Sequence, residues 1–165
     1  TAVDAEGSGK YSEYYKAFYH LERGVLRAEM IDFISSIESN VQTLTMDDKG
    51  TARARVRDQV SRTYDYSEAI DDMLAADKIL PGIPYVYFNL GNLYCLSSRF
   101  VESVENYTKA IDVYPYMGDA YYNRGLVLIY LKDKEKGCID LSRAGELGVG
   151  DAYRVISKYC EEEKN

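Results

Sequence analysis

A chain of 165 residues, 46% apolar and 28% charged, suits one globular domain. Its formal net charge of −7 excludes a general affinity for nucleic acid or an anionic membrane surface, because both demand a positive field. No run approaches the roughly 18 apolar residues of a membrane span, so no membrane insertion is expected and the acidic excess serves solubility.

Residues 1–10, TAVDAEGSGK, hold no large apolar residue except Val3 and read as a flexible leader. The GSGK within them is no phosphate loop, since Asp4 stands where that motif needs Gly and Tyr11 where it needs Ser or Thr. A chain opening on Thr1 reads as a processed product or an excised fragment, and no signal peptide is present in it. From Tyr11 the pattern turns helical, with Tyr15, Phe18, Tyr19, Leu21, Val25 and Leu26 in helical spacing to about Met30. Glu22-Arg23-Gly24 parallels Asn123-Arg124-Gly125, and Asp32 and Ser36 follow their glycine as Asp133 and Gly137 follow theirs. A first, degenerate repeat is therefore expected over 17–49, its second helix at about 32–44 carrying Phe33, Ile34, Ile37, Val41 and Leu44.

MDDKG at 46–50 is a turn cluster, and TARARVRDQVSR reads as the next first helix, with Val56 and Val60 its only sizeable apolar residues. Its partner carries Tyr66, Ala69, Met73, Ala76 and Pro81, which stand 34 residues before Phe100, Ser103, Tyr107, Ala110 and Pro115. Between these sets, Tyr87, Leu90, Gly91 and Tyr94 fall at i, i+3, i+4 and i+7, one face of a helix. Gly91 leaves room on that face for a second helix bearing Phe100, Val104, Tyr107, Ala110 and Ile111. Pro84 suits a first helical turn and Pro115 stops the second helix. Beyond it Tyr121, Arg124, Gly125 and Leu128, then Gly137, Leu141 and Ala144, repeat the pattern, so Ala76, Ala110 and Ala144 recur every 34 residues. Gly148-Val149-Gly150 breaks the helix, and a last one starts at Asp151, with Ala152, Tyr153, Ile156 and Ser157 echoing Ala120, Tyr121, Arg124 and Gly125.

Tyr87-x-x-Leu90-Gly91-x-x-Tyr94 followed by Ser103, Tyr107, Ala110 and Pro115 resembles the signature of a tetratricopeptide repeat (TPR), with Tyr in place of Trp. The resemblance implies an all-α fold, a right-handed α-α superhelix (solenoid) of about four helical hairpins plus a C-terminal capping helix. It divides 11–163 into repeats at 17–49, 50–83, 84–117 and 118–149 and a cap at 151–163. The wording of 121–153 also resembles the closing repeats of large bacterial proteins with C-terminal arrays of this kind, which implies a longer parent chain.

Catalysis needs converging nucleophile, base or metal ligands, and none is read here. His20 is the only histidine, and Asp71-Asp72 and 161–163 read as solvated helix faces. Cys95, Cys138 and Cys160 have no CxxC spacing and read as small packing residues, neither a disulfide framework nor a zinc site. No enzyme, metal or other cofactor is expected, and the compartment stays open between cytoplasm and cell envelope.

Tyrosine is abundant, with 17 copies and no Trp. Tyr87, Tyr94, Tyr107 and Tyr121 take structural positions, whereas Tyr85, Tyr122 and Tyr130 point off the opposite face, as contact area for a partner or as wedges between repeats. In the family resembled, first helices line a concave groove that carries the ligand. Applied here, this selects Asn89 and Asn123, 34 residues apart, whose amides can hold a peptide backbone without reading its sequence. One repeat earlier the same register holds Arg55, with Arg62 seven residues on. The expected groove is thus Arg55, Arg62, Tyr85, Asn89, Asn92, Tyr122 and Asn123, basic at one end and suited to an acidic segment or a free C-terminal carboxylate. It resembles a carboxylate clamp, except that Asn92 and Leu126 stand where clamp lysines would. The plainer alternative makes Arg53, Arg55, Arg57 and Arg62 a solvated helix face. The leading expectation is a non-enzymatic protein–protein interaction module or scaffold with a protein or peptide partner. The alternative is an architectural spacer or self-associating (homo-oligomer) domain of a longer protein.

Overall fold

Small residues spaced 34 apart let helices cross closely, and helices joined by short turns pack on their chain neighbours. The computed structural model describes the backbone of residues 2–40, 43–46, 52–55 and 64–161, and the side chains of 9, 11–33 and 64–161. Its elements are α1 (Ala2–Asn40), β1 (Thr43–Met46), β2 (Ala52–Arg55), α2 (Ser67–Ile79), α3 (Pro84–Leu96), α4 (Phe100–Val113), α5 (Gly118–Tyr130), α6 (Lys134–Glu146) and α7 (Asp151–Tyr159). α1 packs with α2, α3 with α4 and α5 with α6; α2 joins α3, α4 joins α5, and α7 closes on α6. The packing is that of the all-α superhelical array expected from the sequence. A two-stranded antiparallel ribbon, Thr43 opposite Arg55 and Met46 opposite Ala52, lies in the chain between α1 and α2.

The central and last hairpins follow the logic of their small residues. A Cβ on Gly91 would sit 2.5 Å from the Tyr107 ring, and Ser103 Oγ donates 2.8 Å to the Gly91 carbonyl. A Cβ on Gly125 would meet the Gly137 carbonyl at 2.9 Å, and one on Gly137 would meet that of Gly125 at 2.8 Å, so α5 and α6 cross backbone to backbone. The turn within each hairpin also repeats at the 34-residue pitch. Ser98 and Lys132 both take positive φ, 60° and 71°, and the next N–H reaches back to Tyr94 O and Leu128 O respectively.

The N-terminal part departs from the expected division. A single 39-residue helix, α1, replaces both the leader at 1–10 and the first hairpin over 17–49. Extending a helix already packed elsewhere costs little per residue, and 31–33 hold no proline or glycine to stop it. The helix expected over TARARVRDQVSR is not formed at its start, where β2 takes Ala52–Arg55; Leu44 lies in β1, and Val41, Val56 and Val60 lie outside the described residues. α1 instead takes the place of partner to α2, so the two expected repeats 17–49 and 50–83 become one hairpin. A Cβ on Gly24 would meet Met73 Cε at 2.8 Å and Ala69 O at 3.1 Å, the crossing that Gly125 makes with α6.

The cysteines give a second departure. Cys138 on α6 and Cys160 at the end of α7 form a disulfide with Cα atoms 5.8 Å apart. Two cysteines 22 residues apart carry no local motif, and only the docking of Ala152, Val155 and Ile156 of α7 beside Leu141 and Ala144 brings them together. Cys95 remains free and half-buried, and burial pushes its thiol pKa up.

Candidate functional site

Two arginine clasps fix the helices that wall the concave side. On α5, Arg124 lies one residue before the crossing glycine and grips Asp140 of α6 with two bonds, 2.7 and 2.8 Å. On α1, Arg23 lies one residue before Gly24 and grips Asp72 of α2, where Arg27 and the His20 ring, 3.1 Å away, also reach. Burial opposes ionisation of Asp72, but the hydrogen bonds from Arg23 and His20 and the charges of Arg23 and Arg27 outweigh it and hold the carboxyl down at about 2. Asp140 acts in the opposite sense on its partner and raises the Arg124 pKa, against the burial of that side chain.

Held in this way, α1, α3 and α5 enclose a cleft of about 500 Å³. Val25, Glu29 and Asp32 line it from α1; Asn89, Asn92, Leu93 and Leu96 from α3; Asn123, Leu126 and Val127 from α5. Tyr107 reaches it from α4. Its hydroxyl donates 2.7 Å to Asn92 Oδ1, and Asn123 Nδ2 donates 3.0 Å to the same oxygen. Burial pushes the Tyr107 pKa up, so this hydroxyl stays a neutral donor. With its oxygen committed twice, Asn92 keeps an NH₂ group that bonds to nothing among the described residues, and Asn123 keeps its carbonyl oxygen. Asn89 donates 2.8 Å to Tyr85 O on its own helix and likewise keeps a carbonyl oxygen.

Three of the seven residues expected in the groove, Asn89, Asn92 and Asn123, therefore meet in one cleft. Tyr85 lies in a different surface depression with Phe88, Tyr114 and Met117, and half-buried Tyr122 packs on the Leu141, Ala144 and Ala152 cluster. Arg55 sits on β2 opposite Thr43 rather than on a first helix, and Arg62 lies outside the described residues. The groove end that those arginines would have made basic is walled by α1, with Glu29 and Asp32. Of the outward tyrosines, Tyr130 stacks at 4.6 Å on Phe100, the wedge rather than the contact reading. The parallel between Arg23-Gly24 and Arg124-Gly125, carried on to Asp72-Met73 and Asp140-Leu141, is the signal that could have placed α1 on the groove wall.

Among the described residues no group of His, Cys, Asp or Glu is placed to hold a metal ion, and no helix is long and apolar enough to cross a membrane. Neither a protein-family model nor a curated protein matches the chain. Among solved structures, 63 chains do match. One is the "First TPR of Spaghetti (RPAP3) bound to HSP90 peptide SRMEEVD", similar at 24% identity and a TM-score of 0.55 over 58% of this chain and 77% of that one. The fold is that of a tetratricopeptide array. In TPR terms α1, α3 and α5 are the first helices of successive hairpins, and the cleft occupies their shared face.

Proposed function

We propose that this chain is a non-enzymatic interaction module that holds an extended peptide, or an extended segment of a partner domain, in the cleft between α1, α3 and α5. The observation that carries the reading is the amide relay from Tyr107 through Asn92 to Asn123. It fixes two side-chain amides in place while leaving a donor and an acceptor for a peptide backbone, which needs both. That the similar RPAP3 domain was solved with a peptide bound supports the same use here. On this reading the chain scaffolds an assembly by holding one partner, as an interaction module of a longer protein.

The test is a heptapeptide selection against the chain, followed by titration of the selected peptides into the chain and into Asn123→Ala, with folding monitored by circular dichroism. Binding at least tenfold weaker in the variant is expected. Equal binding by both would move the ligand off this cleft and overturn the proposal.

A second reading, self-association, has one observation in its favour. Tyr11, Tyr15, Tyr19, Leu26 and Met30 form an exposed apolar stripe along α1. Tyr19 and Leu26 stand in the register of Val86 and Leu93, which α3 buries against the preceding hairpin. Sedimentation that stays monomeric up to about 100 μM, well above the micromolar affinities of weak specific contacts, would remove that reading.

A further inference from the structure

Resting on the peptide-binding reading above, we infer that the cleft selects a cationic segment: an extended peptide whose lysine or arginine lies at the α1 end, beside Glu29 and Asp32, with a bulky apolar side chain on Leu96 and Leu126. The charges around the cleft are unevenly satisfied. Among the described residues that line it there is no lysine, arginine or histidine. The arginines of the helices that wall it are already engaged among the described residues: Arg23 and Arg27 with Asp72, Arg27 also with Glu68 at 3.0 Å, and Arg124 with Asp140. The carboxylates are not. Glu29 makes no hydrogen bond or ion pair among the described residues, and Asp32 receives only the neutral hydroxyl of Tyr66, at 3.2 Å. One helical turn separates the two acids on the cleft wall, so a cation between them meets both.

An acidic segment would bring its carboxylates against this pair with no free cation among the described lining residues to offset the repulsion, whereas a basic one completes it. The remaining contacts do not discriminate by charge. Asn89, Asn92 and Asn123 offer backbone partners to any peptide, and Leu96 and Leu126, both exposed, offer apolar area. Selectivity therefore falls to the α1 end, which the register of Arg55 would have made basic.

Two labelled heptapeptides of alternating residues, lysine with leucine and glutamate with leucine, both blocked at their ends, test this by fluorescence anisotropy. The lysine peptide is expected to bind the chain about tenfold more tightly at low salt, two partly exposed ion pairs being worth about that much, and the preference should shrink in 0.5 M salt. Glu29→Lys should abolish most of the preference. Glu105→Lys, the same charge change on the exposed face of α4, should leave it intact, which separates a local effect from the attraction of a net charge of −7. Asn123→Ala should weaken both peptides alike. Should the glutamate peptide bind as well as the lysine one while both remain sensitive to Asn123→Ala, the charge selection is wrong and the cleft reading stands. A lysine preference equally reduced by Glu105→Lys also overturns the selection. Peptides indifferent to Asn123→Ala overturn the cleft reading itself.

Discussion

In the hairpin of α5 and α6, Arg124 and Asp140 are 16 residues apart; in that of α1 and α2, Arg23 and Asp72 are 49 apart. The contact is nonetheless the same: an arginine before a crossing glycine, an aspartate on the facing helix, and a large apolar residue after it, Leu141 or Met73, over the glycine. In this array a hairpin is thus defined by its crossing and not by its turn. Closing the longer connection costs only about 1 kcal/mol more, because closure entropy grows only with the logarithm of length. A well-packed crossing exceeds that.

If the crossings are equivalent, overpacking either should unfold the chain comparably. Gly125→Leu is expected to destabilise by about 3 kcal/mol or more, since its side chain would enter the backbone of Gly137, and Gly24→Leu by about 2 to 3, since Met73 can partly move aside. Urea denaturation measures both, and an unchanged midpoint for Gly24→Leu would break the equivalence by removing α1 from the pairing. Cys138→Ser should cost up to about 3 kcal/mol on chain-entropy grounds for a 22-residue separation. That loss should fall on α7, so hydrogen exchange should speed there and stay constant in α3; uniform acceleration would mean that the cap supports the whole array.

The clasps differ more than the crossings. Asp140 and Arg124 are largely enclosed, whereas Arg23 and Arg27 have side chains 38% and 36% exposed, so Asp72→Asn should cost only about 1 to 2 kcal/mol after solvent screening. Its pH signature follows from the direction of the shift. The folded pKa of Asp72 is held down at about 2, below an ordinary carboxylate near 3.8, so its contribution is present above pH 4 and is lost as pH falls from 4 towards 2. Thermal melts of the chain and of Asp72→Asn should converge over that window, and a constant gap would show that the clasp is not ionic. Ser103→Ala, which removes the buried bond to the Gly91 carbonyl, should have the smallest effect, about 1 kcal/mol in the same urea assay.

The 34-residue pitch made the half of the chain from Tyr66 onward legible, because Ala76, Ala110 and Ala144 mark crossings that every later element repeats. The N-terminal part misled for a numerical reason. Its hairpin holds 33 more residues between clasp partners than the last one does, almost one repeat, and so looks like an additional repeat with a weak signature. Arg55 then fell into the groove register by coincidence of length. Asn89, Asn92 and Asn123 were legible because they ride on regular helices; Glu29 and Asp32 were not, because their place depends on which helix α2 selects as partner. The disulfide was hidden for a related reason, as it joins two elements whose docking no local spacing encodes.

Tyr107 belongs to two systems at once. Its ring fills the space that Gly91 leaves between α3 and α4, while its hydroxyl orients Asn92 in the cleft. On the proposed reading this links occupancy of the cleft to integrity of the central hairpin: a ligand held by Asn92 would stabilise the fold, and a repacked core would retune affinity from beneath the surface. A substitution at Tyr107 would therefore alter the core and the cleft together, so on the proposed reading recognition and folding could not drift apart through changes at this residue.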